Sequence, residues 1–262
     1  MKYFVFSDVH GHYTLLINEL KKNGFDETNS NHMLISIGDN FDRGKENYEM
    51  FLFLKEMKEK NKIILVRGNH EDLFLKLLSR GYPTMADYHN GTFQTLEEFS
   101  KRYFKEYYVN VVNDGYDQIY YELKRDKVLD LIYDMVDYYE TPNYIFTHGY
   151  IPVGINDDNR FTYKENWRNS TYKEFEEARW KNGMEMSMVH QIGEVGKKIV
   201  VGHWHASYGH VRKEYGFKQD INYRELEFNE NANHKIFEDE RVIAIDACTI
   251  ISKKINVLVL ED

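Results

Sequence analysis

The chain has 262 residues, with 34 basic and 43 acidic side chains and a formal net charge of −9. Such a charge argues against a broad nucleic-acid-binding surface, although it leaves room for a local basic pocket for phosphate. The one cysteine, Cys248, excludes an intramolecular disulfide framework and fits a reducing compartment. We interpret Cys248, in the segment VIAIDAC, as a buried strand residue rather than a nucleophile.

The N-terminal segment MKYFVFSDVHG is too short and too soon interrupted by charge to be a signal peptide. No apolar run approaches the length of a membrane span. We therefore expect a cytoplasmic protein without a membrane partner. The sequence makes no prediction of its oligomeric state.

Five short apolar runs are typical of strands buried on both faces. They are KYFVF, HMLISI, KIILV, NYIF and KKIVV, at residues 2–6, 32–37, 62–66, 143–146 and 197–201. Between the first three, residues 13–23 and 46–60 carry apolar side chains at helical spacing, and a third helical segment follows Glu71 and ends at Gly81. This β-α-β-α-β order predicts parallel strands with helices packed on them.

From about residue 81 to 141 the sequence is rich in Tyr and helical in pattern. Two helices are predicted there, TLEEFSKRYFKEYY and KVLDLIYDMVDYYE, and we see no polar cluster of a catalytic kind. We interpret 81–141 as a helical cap or insertion in a single domain spanning 1–262, because no repeat or linker divides the chain. An irregular region, 150–196, and two further strand patterns, RVIAIDAC and KKINVLVLED, complete it.

Polar side chains follow each of the five predicted strands. They are Asp8, His10, Asp39, Asn69, His148, His203 and His205. In open α/β sheets, ligands bind at the carboxyl ends of the strands. A set of carboxylate, amide and imidazole groups suits Mn²⁺, Fe or Zn²⁺ and is too rich in nitrogen for Ca²⁺. Since seven ligands exceed the needs of one ion, we expect two ions that share a carboxylate and support phosphoester hydrolysis.

The motifs DVHG, GDNFDRG, RGNHE, THG and GHWH occur in this order between Asp8 and His205. Together they resemble the calcineurin-like metallophosphoesterase superfamily. The Asp42-Arg43-Gly44 triplet and Glu71 resemble the phosphoprotein phosphatases, including bacterial and phage members and the related symmetrical dinucleoside tetraphosphatases. This resemblance implies an α/β (α+β) fold, namely a four-layer α-β-β-α sandwich of two mixed sheets, with a mainly helical insertion.

The resemblance also implies which residues hold each ion. Asp8 and His10 would bind the first ion, Asp39 would bridge, and Asn69, His148 and His203 would bind the second. The chain departs from the phosphoprotein phosphatases at GHWH, where those enzymes have GHT. His205 therefore resembles an extra ligand of the first ion, although a His beside Trp204 could instead simply pack.

By the same resemblance, His70 would be the general acid, oriented by Asp42, while Arg43 and Arg67 would hold phosphate oxygens. The planar fork of an Arg suits that task. Arg179, in EARWKNG, is the best positional match to a further phosphate-binding Arg, with Arg160 and Arg168 as competitors. The alternative for Asp42 and Arg43 is a surface ion pair of little energetic value. We assign Asp246 a supporting role behind the ligands.

We therefore predict a phosphoester hydrolase with two divalent ions, Mn²⁺ first and Fe or Zn²⁺ as alternatives. A serine/threonine protein phosphatase, in which a metal-bridging hydroxide attacks phosphorus directly, is the first choice. A symmetrical dinucleoside tetraphosphate hydrolase is the alternative, a general phosphodiesterase comes third, and a metal-binding scaffold is the non-enzyme alternative. The partner would be a phosphorylated protein or a small phosphoester.

Overall fold

A computed structural model of the chain describes residues 1–104 and 115–262. The strands are β1 Lys2–Phe6, β2 His32–Ser36, β3 Ile63–Leu65, β4 Tyr139–Glu140, β5 Tyr144–Phe146, β6 Gly154–Ile155, β7 Phe161–Thr162, β8 Lys198–Val201, β9 Phe237–Glu238, β10 Val242–Ala244 and β11 Leu258–Glu261. One sheet has the order β11-β1-β2-β3 and the other β4-β5-β8-β10-β9, while β6 and β7 form a separate pair.

The described helices connect and cover these strands. They are α1 Tyr13–Lys22, α2 Asn47–Glu59, α3 Asn69–Arg80, α4 Met85–Asn90, α5 Thr92–Phe104, α6 Tyr116–Arg125, α7 Val128–Tyr133, α8 Tyr172–Ala178, α9 Gly183–Met188, α10 Ser207–Tyr215, α11 Tyr223–Glu227 and α12 Thr249–Ser252, with a 3₁₀ helix at Trp167–Asn169. Helix α3 ends at Gly81, whose φ of +76° suits a residue without a Cβ.

The predicted parallel strands are confirmed. Strands β1, β2 and β3 pair in parallel, and so do β5, β8 and β10. Antiparallel strands close the edges: β11 beside β1, β4 beside β5, and β9 beside β10. Both sheets are therefore mixed, as the resemblance implied.

Three apolar clusters separate four layers, because alternate residues of each strand face opposite sides. Phe4 and Phe6 of β1 pack with α1, α2 and α3 in the first cluster. Tyr3 and Val5 face the other way, and they meet Phe146 and other residues of the second sheet in a cluster between the sheets. The outer face of the second sheet forms a third cluster with residues of α8 and α9. The order of layers is α-β-β-α.

One predicted helix is wrong over most of its length. Of KVLDLIYDMVDYYE, only Val128–Tyr133 is helical, and Tyr139–Glu140 is a strand. The chain leaves the helix because Val136 extends the edge of the first sheet, where its N–H donates to Leu65 O (2.9 Å) and its carbonyl accepts from Arg67 N (2.9 Å). Pairing between distant segments overrides the local helical pattern here.

Helices α5, α6 and α7 of the 81–141 segment share the first apolar cluster with α2 and α3. The ring of Phe99 on α5 lies 5.9 Å from Phe51 and 6.5 Å from Phe74, measured between centroids. Residues 105–108 of the predicted helix TLEEFSKRYFKEYY lie outside the described residues, and the division into one domain with a cap stays a prediction. Within the described ranges, no helix is both long and apolar enough to cross a bilayer.

Candidate metal centre

The carboxyl ends of the parallel strands converge on one cavity of about 400 Å³. Asp8 follows β1, Asp39 follows β2, Asn69 opens α3 after β3, and His203 follows β8; all four line the cavity. His148, after β5, is fully buried beside it. The structure thus brings the predicted ligands together, although they come from positions throughout the chain.

The backbone at this edge is unusually constrained. Seven residues other than Gly that border the cavity or its ligands adopt positive φ, a conformation that costs energy for a side chain with a Cβ. They are Asp8, His10, Asp39, Asp42, Arg43, His203 and Cys248. Gly38, with φ +95°, packs so tightly that an added Cβ would lie 2.5 Å from the backbone of Gly68. Tight turns after the strands therefore aim the side chains into the cavity.

Asp39 belongs to two groups of potential metal ligands. One group contains His10, Asp39 and His70, and the other contains Asp39, His148 and His203, with the ligand atoms of each group within 4.8 Å of one another. The carboxylate lies 3.8 Å from His10 Nε2 through one oxygen and 3.3 Å from His148 Nε2 through the other. Its position between the two groups is the one that a bridging carboxylate needs.

In three of the histidines Nδ1 is hydrogen-bonded to the surrounding protein, so Nε2 is the nitrogen that a metal ion would take. His10 Nδ1 lies 3.0 Å from Phe41 O and His148 Nδ1 lies 2.8 Å from Ile37 O. Since a carbonyl oxygen only accepts, each Nδ1 carries the proton. His205 Nδ1 lies 2.6 Å from Ser207 Oγ, and that hydroxyl donates to Glu227 O. Such outer hydrogen bonds orient metal-binding histidines.

His205 presents the clearest free ligand atom. Its Nε2 is buried and has no hydrogen-bond partner in the described part of the chain, while the ring lines the cavity and packs 4.2 Å from Phe228. Burial lowers the pKa of His205 to about 4 and that of His203 to about 3, so both imidazoles are neutral at neutral pH, the form that binds metal. These imidazole nitrogens, together with the other predicted ligands, suit a pair of divalent cations.

The carboxylates of the cavity also suit cations. Burial and the nearby Asp246 raise the pKa of Asp8 well above its usual value, and burial raises the pKa of Asp246 to about 6. Burial opposes ionisation of Asp39 too, but His148 and His70 outweigh it and hold its pKa well below the usual range. Asp246 also lines the cavity, but among the described residues it belongs to neither group of potential ligands, and its supporting role stays a prediction.

His70 and Asp42 form a buried pair at the polar end of the cavity. His70 Nδ1 lies 2.7 Å from Asp42 Oδ2. Burial alone would lower the pKa of His70, but the Asp39 and Asp42 carboxylates outweigh it and raise the pKa. Thr92 and Thr95 of α5 also donate to Asp42, at 3.0 and 2.6 Å. Helix α5 of the 81–141 segment therefore contacts the site through these two hydroxyls.

Of the five candidate arginines, Arg43 is placed in the cavity. Its guanidinium lies 3.2 Å from His10 Nε2 and 3.0 Å from His70 Nε2. Arg67 points elsewhere and donates to Ile132 O and Tyr133 O, at 2.8 and 3.1 Å. Arg179 is buried on Asp72 (2.6 Å) and Asp137.

Neither Arg67 nor Arg179 lines the cavity in this conformation, nor do Arg160 and Arg168. Arg168 instead pairs with Glu140, at 2.6 and 3.0 Å. Direct phosphate binding by Arg67 or Arg179 would require each to leave these partners, so that role stays a prediction for both.

Several residues of the site were not predicted. Glu71 is fully buried and accepts from the backbone N–H groups of Asp39 (3.0 Å), Asn40 (2.9 Å) and Gly68 (2.8 Å), so it holds two ligand loops together. The motif RGNHE indicated Glu71, but only the fold shows which backbone groups it binds. Cys248 is half-buried, lies beyond β10 and lines the cavity, so its interpretation as a strand residue is wrong.

An aromatic wall faces the polar end. It consists of Trp180, Trp204 and Phe228, of which Trp180 is 47% and Phe228 44% exposed. Trp180 packs edge-on against His203, and Trp204 lies between His203 and His205. No periodicity in the sequence links these rings, because they come from three separate loops.

The chain belongs to the calcineurin-like phosphoesterase family, which matches residues 1–245. The family resemblance is thereby confirmed. It is a family of phosphoric ester hydrolases, so the class of chemistry agrees with the ligand set.

A Salmonella typhimurium (strain LT2) protein described as serine/threonine-protein phosphatase 2 is 42% identical over 72 residues, which is 28% of this chain and 30% of the relative. The match therefore spans less than a third of that protein. The crystal structure of a cold-active protein-tyrosine phosphatase from a psychrophilic Shewanella is similar with a TM-score of 0.52 and 17% identity, over 100% of this chain and 75% of that one. This likeness bears on the fold alone.

Proposed function

We propose that the protein is a phosphomonoesterase that depends on two divalent ions and removes phosphate from phosphoserine or phosphothreonine side chains. The observation that carries the proposal is the position of Asp39 between two groups of ligands at the strand ends. The match to a bacterial serine/threonine-protein phosphatase supports the choice of substrate. Two ions held there, Mn²⁺ first, would activate water and offset charge on the phosphoryl oxygens.

Asp8, His10 and His205 would hold one ion, and Asn69, His148 and His203 the other. Each supplies an atom suited to Mn²⁺, Fe or Zn²⁺. His148 carries a pKa raised to about 10, because Asp39 outweighs the effect of burial. Metal binding at His148 Nε2 must therefore displace a proton.

His70 is the proposed general acid. Its Nδ1 donates to Asp42, so the ring is held with Nε2 towards Arg43 and the cavity. Arg43 can only donate, so it would have to turn from Nε2 to the phosphate before Nε2 carries a proton. That proton would then pass to the leaving oxygen of the substrate, and Asp42 would stabilise the imidazolium before the transfer. Because Arg43 is 3.0 Å from the same nitrogen, it would bind phosphate oxygens beside the leaving group.

The arrangement of charges favours a phosphomonoester over a dinucleoside tetraphosphate. Arg43 is the one basic side chain, histidines apart, among the described residues that line the cavity. A polyphosphate chain carries several charges and would benefit from further cations. A metal-binding scaffold would have no use for the buried His70–Asp42 pair.

One preparation loaded with Mn²⁺ would test the proposal against its alternatives. Turnover should be highest with phosphoserine and phosphothreonine peptides and lower with diadenosine tetraphosphate and with a bis-nitrophenyl phosphodiester. Preference for diadenosine tetraphosphate would establish the alternative hydrolase. Inactivity on all three substrates at full metal occupancy would favour the scaffold.

A further inference from the structure

Asp42 is held from two sides, by the proposed acid and by a helix of the 81–141 segment. Its side chain is fully buried. One carboxylate oxygen, Oδ2, accepts from His70 Nδ1 (2.7 Å) and from Thr92 Oγ1 (3.0 Å). The other, Oδ1, accepts from Thr95 Oγ1 (2.6 Å). Because both oxygens are bound to α5, the plane of the carboxylate is fixed, and so is the ring of His70.

The start of α5 is shaped for this contact. Thr92 and Thr95 are three residues apart and therefore share a helix face. Gly91 precedes them with φ +85°, and a Cβ there would lie 2.5 Å from Arg43 N, so the turn into α5 packs directly on the backbone beside Asp42. The Thr95 hydroxyl is also 3.2 Å from Gly91 O, but the contact with Asp42 is the shorter.

We propose that Thr92 and Thr95 are positioning residues for proton transfer, acting on His70 through Asp42. The inference rests on the proposed function, since it concerns the acid of that reaction. The segment after residue 81 would then contribute to proton transfer as well as covering the core. Thr95 should matter more than Thr92, because within residues 1–104 and 115–262 Thr95 is the one side chain that donates to Oδ1, whereas Oδ2 is also held by His70.

A purely structural role is the competing explanation, since buried hydroxyls usually need partners. The same helix offers a comparison. Ser100 on α5 is fully buried, and its hydroxyl has no hydrogen-bond partner among the residues that the structure describes. Helix α5 therefore tolerates an unpaired buried hydroxyl, and Ser100→Ala is a matched control that removes such a group without touching Asp42.

The test compares Thr92→Val and Thr95→Val with Thr95→Ser and Ser100→Ala, on a phosphoserine peptide and on nitrophenyl phosphate. Positioned acid catalysis contributes ~10²–10⁴-fold, so loss of one orienting bond in Thr95→Val should cost on the order of 10-fold with phosphoserine. The loss with nitrophenyl phosphate should be much smaller, because that leaving group needs no proton. Thr92→Val should show a weaker form of the same pattern, while Thr95→Ser and Ser100→Ala should resemble the wild type.

Equal losses of Thr95→Val on both substrates, or a Thr95→Ser variant as slow as Thr95→Val, would overturn the proposal. If Thr95→Val folds poorly, Thr95→Ala replaces it, and the two are judged by the ratio of rates on the two substrates. In an Asp42→Asn background, Thr95→Val should change that ratio no further. A further change would show that Thr95 does not act through Asp42.

A nitrogen-15 NMR spectrum separates this inference from the proposed function. The Nδ1–H signal of His70, assigned with His70→Asn, should be protected from exchange in the wild type and lose protection in Thr95→Val. If the wild type hydrolyses no phosphomonoester, the proposed function fails. An unchanged Nδ1–H signal in Thr95→Val overturns the positioning role, whatever the activity.

Discussion

Asp39→Asn is the sharpest test of the metal centre. Asp39 is the shared member of both ligand groups, and its two oxygens approach different histidines. The amide keeps the size of the side chain and one acceptor for His70 N, which donates to Oδ1 at 2.9 Å. It removes the negative charge and one of the two coordinating oxygens. Both ions should therefore be weakened together.

The expected loss of affinity for each ion can be estimated from the loss of a direct ligand. Removing an outer partner of a metal ligand costs roughly 10–100-fold in affinity, and a direct ligand should cost at least as much. For a 100-fold loss the difference is about 2.7 kcal/mol per ion. With Mn²⁺ at about 100 times the wild-type Kd, each ion stabilises the wild-type fold by about 2.7 kcal/mol, but the variant by only about 0.4 kcal/mol.

Metal analysis after gel filtration and thermal unfolding with and without Mn²⁺ would measure both effects. Asp87→Asn is a matched control, since Asp87 on α4 is a buried carboxylate that accepts from Thr84 and from Arg80 of α3 and does not line the cavity. The control should retain two ions and the full increase in stability. Two ions bound to Asp39→Asn with wild-type affinity would show that Asp39 does not bridge.

Three further predictions follow from the same geometry. His70→Asn should keep both ions and lose ~10²–10⁴-fold in rate on phosphoserine but far less on nitrophenyl phosphate. Equal losses on the two substrates would remove the acid role. Loss of an ion would instead make His70 a metal ligand. His205→Ala should weaken one ion at least roughly 10-fold, with turnover restored by excess Mn²⁺; an unchanged metal titration would leave His205 a packing residue. In the metal-free protein Asp246 should cost stability as pH rises from 3.8 to about 6, because burial raises its pKa and the unfolded chain releases this proton first. The buried His203 and His205, whose pKa values are lowered, act in the opposite direction, so the quantity to measure is the difference in stability between wild type and Asp246→Asn in thermal unfolding. The wild type should lose stability relative to Asp246→Asn over this window, and a constant difference would refute the assignment.

The sequence by itself determined the parallel strands and the edge of the sheet that carries the site. Apolar runs followed by helical patterns are local signals, and they give β1, β2 and β3 with α1, α2 and α3 between and after them. Polar residues that end such strands necessarily gather at one edge, because parallel strands share a direction. The types of side chain then indicate the class of metal, and the order of motifs indicates the family.

Tertiary structure alone decided which long side chains enter the cavity. Arg43 and Arg67 are candidates by motif and Arg179 by position, but Arg67 is held by carbonyls at the end of α7 and Arg179 by Asp72 and Asp137. A buried guanidinium adopts the direction in which its charge and N–H groups find partners, and those partners lie 42 to 107 positions away in the chain.

The contacts of Asp42 show the same limit. Thr92 and Thr95 lie 50 and 53 positions beyond it, in a segment whose local pattern indicates only a helix. The helical pattern indicates which face of α5 is apolar. It does not indicate which polar group the helix will contact, because this depends on how α5 packs against the loop after β2. The same reason explains Cys248 and the aromatic wall. Loops that are distant in sequence and lack periodicity become neighbours only when the two sheets are stacked.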